Sequence, residues 1–166
     1  LDPGEVLNRI AEQVTRAMGV KGCFIRLLDR GGKVLKPAAQ YGLSERYTRK
    51  GVVEVAKSGL DREAFTGKVV QIADAGTDPR FQYGKEAAAE GLASVLVAPM
   101  FVEGSRPIGV LRVYTGERRE FGPEEIDFLQ AIANISAIAI ENARMHQTLK
   151  RQMELINAYD YQVFED

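Results

Sequence analysis

A chain of 166 residues with 22 basic and 23 acidic side chains carries a net charge of −1 and no block of one sign. That balance excludes the electrostatic footprint that grips nucleic acid or an anionic membrane. The length suits one domain, which hides roughly two-thirds of its unfolded surface. The single cysteine, Cys23, excludes an internal disulfide and any paired-cysteine redox or zinc site. It fits a reducing, cytoplasmic setting. Apolar runs break short of the roughly 20 residues a membrane span needs, and no secretory signal is present. Leu1, not methionine, opens the chain, which reads as a piece of a longer protein.

In chain order, Asp2-Pro3-Gly4-Glu5 is a helix start, with Asp2 as N-cap and Glu5 at the capping-box position. Val6, Leu7, Ile10, Ala11, Val14, Ala17 and Met18 follow at helical spacing, and Gly19 ends the helix. Residues 23–28 switch to a period near two: Cys23, Ile25 and Leu27 share one face, and Phe24, Arg26 and Leu28 the other. A turn at Asp29-Arg30-Gly31-Gly32 leads into a second strand, residues 33–41. Pro37 cannot donate to a ladder, which places that strand at or near an edge. Residues 42–67 are mixed, with helical signals at 52–57 and 62–65, followed by a short strand at 69–72. Asp78-Pro79-Arg80-Phe81 marks a loop. A helix at 85–90 stops at Gly91, and strands at 94–102 and 107–115 flank a turn at Glu103-Gly104-Ser105-Arg106. Strand pairs on short turns predict an antiparallel sheet. The apolar terminal helices would cover one face, and residues 42–67 with 74–91 would form a lid over the other.

The last helix opens at Phe121-Gly122-Pro123-Glu124-Glu125-Ile126. Gly122 is its N-cap, Pro123 occupies the first turn, and Phe121 and Ile126 form a hydrophobic staple. Phe128, Leu129, Ile132, Ala133, Ile135, Ile138 and Ile140 make it apolar on more than one side, so it is expected to lie between two surfaces. Beyond Arg144 the apolar side narrows to Met145, Leu149, Met153 and Ile156. A 4-3 spacing from Phe128 through Ile135, Asn142 and Leu149 to Ile156 predicts a coiled-coil seam. The expected division is residues 1–148 as the domain and 149–166 as an output extension.

Taken together, Phe24-Ile25-Arg26-Leu27-Leu28-Asp29, Gly42-Leu43-Ser44, residues 67–74, Asp78-Pro79-Arg80-Phe81, residues 88–96, Pro107-Ile108-Gly109-Val110-Leu111 and residues 137–143 resemble a GAF domain. That family comprises small-molecule-sensing modules of bacterial signalling proteins, phytochromes and phosphodiesterases. The resemblance spans residues 3 to about 148 and rests on the order and spacing of the pieces. It implies an α+β fold with an antiparallel sheet of five or six strands in the order 2-1-5-4-3. Both terminal helices pack on one face, with a ligand cavity on the other. It further implies a homodimer through those helices and an effector domain or partner protein beyond the last one. The candidate dimer residues are Ile10, Val14, Ile135, Asn142, Met145, Leu149, Met153 and Ile156.

Several chemistries of the family find no residues. The Asn-Lys pair of cyclic-nucleotide sites is absent, and Cys23 faces the helices instead of the lid where a bilin attaches. His146, the lone histidine, lies beyond the sheet, which argues against a haem ligand in the pocket. One cysteine is too few for methionine-sulfoxide reduction, and Cys23 points away from any pocket iron site. No nucleophile–base pair or metal-ligand cluster stands out, so neither an enzyme nor a resident cofactor is expected.

Strand parity yields the candidate ligand site. If Cys23, Ile25 and Leu27 face the helices, Arg26 faces the lid; in the last strand Val110, Arg112 and Tyr114 do the same. Two guanidiniums on one buried face need an anion, and a carboxylate ligand would meet both. Phe24, Phe65 and Phe81 would line the pocket, with Asp74 at its mouth. The competing reading pairs Arg26 and Arg112 with internal acids such as Asp74, Asp78 or Glu63. Two functions remain open: a dimeric sensor of a small, possibly anionic molecule, and a ligand-free dimerisation spacer.

Overall fold

The computed structural model describes residues 2–102 and 106–165. The turn expected at 103–105 lies outside them, as does Asp166. Helix α1, Pro3–Met18, starts where Asp2 accepts a hydrogen bond from the Glu5 amide at 3.0 Å, which satisfies a donor the first turn leaves free. Strands β1 (Gly22–Leu28) and β2 (Val34–Tyr41) form the first hairpin. The lid follows: α2 (Glu45–Thr48), a two-residue strand β3 (Val53–Glu54), a 3-10 turn over Val55–Lys57, and α3 (Gly59–Ala64). Then come β4 (Val70–Ile72), α4 (Gly84–Glu90), β5 (Val95–Val102), β6 (Arg106–Tyr114) and the 43-residue α5, Pro123–Glu165.

The sheet is antiparallel, in the order β3-β2-β1-β6-β5-β4. This is the order expected from the resemblance, with β3 added outside β2. Residue 53 was expected to be helical; it pairs instead with Leu35 at the sheet margin. β3 spans only the first residues of β2, so Pro37 lies beyond it, where a missing N–H costs no ladder bond. Pro99 in β5 is tolerated for the same reason, since β4 pairs only with residues 95–97.

Alternation along each strand divides the interior into two cores. On the helix side Cys23, Ile25, Leu96, Ala98, Met100, Leu111 and Val113 meet Leu7, Ala11 and Val14 of α1 and Leu129, Ala133, Ala137 and Ile140 of α5. On the lid side Phe24, Leu35, Val97, Val110 and Tyr114 meet Tyr47, Leu60, Ala64, Phe81 and Ala87. The face expected to be hollow is therefore filled by a second apolar cluster, because the lid contributes side chains of its own. α5 has one buried side in this chain; Phe128, Ile135 and Ile138 on the other are exposed. Every described side chain from Arg144 to residue 162 is exposed.

Candidate functional site

β1 and β6 are neighbours with Phe24 opposite Arg112 and Arg26 opposite Val110, so the strand register sets both arginines on the lid face. Arg26 is 0% exposed, and none of its three guanidinium nitrogens has a hydrogen-bond partner among the described residues. Its guanidinium carbon lies 3.9 Å from the Phe24 ring centroid, a cation–π contact. The Tyr114 hydroxyl faces Tyr47, Arg26 and Arg112 without closing a well-formed hydrogen bond to any of them, and the Tyr47 and Tyr114 rings meet edge to face at 5.8 Å. Burial pulls Arg26 below the ordinary guanidinium value, with Tyr114 opposing and Arg112 reinforcing that pull.

Arg112, 3% exposed, has what Arg26 lacks. Its Nη2 donates to Asp61 Oδ2 at 2.5 Å, and Ser58 Oγ donates to the same oxygen at 2.6 Å. Burial works most strongly against the Arg112 charge, but Asp61 together with Tyr114 and Tyr47 outweighs it and holds the guanidinium above its ordinary value. Asp61 is fully buried and keeps one oxygen, Oδ1, unpartnered. Ser58 caps α3, accepting from the Asp61 amide at 3.3 Å, so the helix start aims Asp61 at the sheet.

A third cation stands above the same aromatic wall. Lys50 Nζ lies 3.5 Å from the Tyr47 ring centroid, 5.1 Å from Phe24 and 5.2 Å from Tyr83, and donates to the Tyr47 carbonyl at 3.1 Å. Burial first, then Arg26 and Arg112, push its pKa down to about 6. The next residue, Gly51, adopts φ +125°, and the Tyr83 hydroxyl fastens the segment by donating to the Val52 carbonyl at 2.7 Å. Beside it a cleft of about 530 Å³, bounded by Asn8 of α1, residues 37–40, Thr48, Arg49, Gly51 and Val52, reaches Phe24.

Of the residues expected to bind ligand, Phe24, Arg26, Phe81, Val110, Arg112 and Tyr114 come together beneath the lid, with Phe81 5.3 Å below the Arg112 guanidinium. Asp74 does not join them. It accepts from the Gly76 amide and pairs with Arg118 at 2.9 Å, which holds its carboxyl below the usual range. Phe65 packs against the lid core but borders a separate groove with Arg106 and Arg144. The internal acids considered for the arginines serve others: Asp78 and Glu63 both hold Arg80. Asp61 and Lys50 were missed. Ser58-Gly59-Leu60-Asp61 carries the capping-box spacing that would have found the first. Nothing in the local pattern marks Lys50.

Among the candidate dimer residues, Ile135, Met145, Leu149, Met153 and Ile156 are exposed large apolar side chains, and Asn142 is exposed beside them. Ile10 is half-buried against the helix-side core. Val14 is 2% exposed inside its own core, where it has no surface to offer a second chain. Cys23 is also buried there, and burial pushes its thiol up, so it does not fit attachment of a bilin on the lid side.

Residues 1–141 match the model of the GAF domain family, and the chain belongs to that family. It is 32% identical over 132 residues to the methyl sulfide methyltransferase-associated sensor of Methanosarcina acetivorans. That match covers 77% of this chain but 13% of the relative, so this chain spans a small part of that protein's length. The GAF domain of a phosphoenolpyruvate-protein phosphotransferase from Coxiella burnetii superposes with a TM-score of 0.77 at 20% identity, over 89% of this chain and 87% of that one. The free methionine-R-sulfoxide reductase of Neisseria meningitidis superposes with a TM-score of 0.71 at 20% identity, over 87% and 81%. These two structures share the fold. A GAF domain is a sensory signalling module, and no described helix is long and apolar enough to cross a membrane.

Proposed function

We propose that this GAF domain senses a small anion held on the lid face of its sheet and relays occupancy along α5 to an attached or associated effector. It does so as a non-catalytic homodimer joined through the exposed stripe of α5, in the cytoplasm and without a resident cofactor. Arg26 carries the reading. A buried charge costs several kcal/mol unless it is paired, and Arg26 is buried on a central strand with the Tyr114 hydroxyl facing it but no acid to pair it. Arg112 beside it shows how this interior meets such a need, with a carboxylate. A ligand carboxylate entering from the cleft by Phe24 would give Arg26 the same, with the Tyr47 and Tyr114 hydroxyls as further donors. The relative named as a sensor supports the class of function.

The packed lid core supports a second reading, a spacer that binds nothing. Thermal melts with formate, butyrate and succinate separate the two. The sensor reading expects at least one acid to raise Tm by several degrees, and Arg26→Met to remove that rise. A Tm unmoved by every acid would leave the spacer.

A further inference from the structure

The lid site holds more basic groups than one carboxylate ligand would engage. Arg112 is matched by Asp61, which leaves Arg26 and, across the same Phe24 ring, Lys50. Resting on the anion-sensing reading, we infer that the ligand is a dianion, with one charge met by Arg26 and the other by Lys50, and that Lys50 sets this ligand class. The ammonium is placed for it: one contact to a backbone carbonyl occupies a single donor, and the rings of Phe24, Tyr47 and Tyr83 surround it. A Lys ammonium has two donors more.

The charges around Lys50 come from four directions. Arg26 on β1 and Arg112 on β6 oppose its protonation; Glu86 and Glu90 on α4 favour it weakly, and Tyr47 of α2 flanks it. Glu90 is already engaged, accepting from the Ser44 amide at 2.7 Å and its hydroxyl at 2.6 Å. Glu86 is exposed. With its pKa near 6, Lys50 is mostly neutral at pH 7.5 in the free protein. An anionic group set against it restores the proton, so dianion binding takes up a proton and strengthens as pH falls from 8 towards 6. A monoanion satisfied by Arg26 alone does neither.

Calorimetric titration of the full chain at pH 7.5, in buffers of different ionisation enthalpy, tests this with succinate, inorganic phosphate, butyrate and formate. The expected result is that succinate or phosphate binds at least about tenfold tighter than either monoanion, and that succinate takes up most of one proton per site, phosphate less because its own monoanion fraction must give one up. Lys50→Met should reduce that dianion to monoanion affinity and abolish the uptake, while leaving butyrate or formate binding intact. Succinate alone would indicate two separated charges, and phosphate alone one doubly charged group; either supports the inference. Equal affinity for mono- and dianions, tight dianion binding with no proton taken up, or an unaffected Lys50→Met variant would overturn it. Failure of all four probes to bind would instead remove the anion-sensing reading beneath it.

Discussion

Asp61 is the residue on which the buried charges turn. Removing it leaves Arg112 without a counter-charge inside the protein, a change that costs about 3–5 kcal/mol. Asp61→Ala should therefore lower the urea midpoint sharply. Asp61→Leu combined with Arg112→Met should recover most of the loss, because both charges go together. A double variant as unstable as Asp61→Ala would show that the pair matters for something other than charge balance. Lys50 acts in the opposite sense. Its folded pKa of about 6 lies below the ordinary 10.5, so between those values the unfolded chain holds more protons. Stability should consequently rise with pH across that window, and Lys50→Met should flatten the rise in denaturant midpoints taken at pH 6.5 and 9. Cys23, sealed in the helix-side core, should resist thiol reagents until the protein unfolds.

Among the elements, the β1–β6 pair fixes the site, and its tightest point is Gly109. A methyl group there would lie 2.3 Å from the Arg26 carbonyl oxygen, too close for the strands to stay in register. Gly109→Ala should cost about 1–3 kcal/mol in unfolding free energy and disturb the strand that carries Arg26. The same pair was legible in the sequence because its signal is local. Period-two alternation separates Cys23, Ile25 and Leu27 from Phe24 and Arg26 with no knowledge of the rest of the fold. The lid was not legible for the converse reason. Val53–Glu54 is strand only because Leu35 pairs with Val53, and α2 is too short for helical periodicity to register. Arg112 was correctly placed on a face, but its partner arrives from a helix 51 positions away in sequence, and spacing along one strand carries no information about such a distance.

For the whole molecule, the exposed apolar stripe of α5 is the feature still to be satisfied, and a second copy is the proposed partner. Light scattering of the full chain should give twice the 18.3 kDa of one chain. Met145→Glu with Leu149→Glu should return the mass to a monomer's, and a mass unchanged by both charges would place the contact elsewhere. At about 1.5 Å per residue, the 43 residues of α5 extend about 65 Å, and every described side chain past Arg144 is exposed. Such a spar multiplies friction in water without adding much mass. Even the single-chain form should migrate through a gel column with the Stokes radius of a far heavier sphere, so its elution position will mimic assembly where there is none.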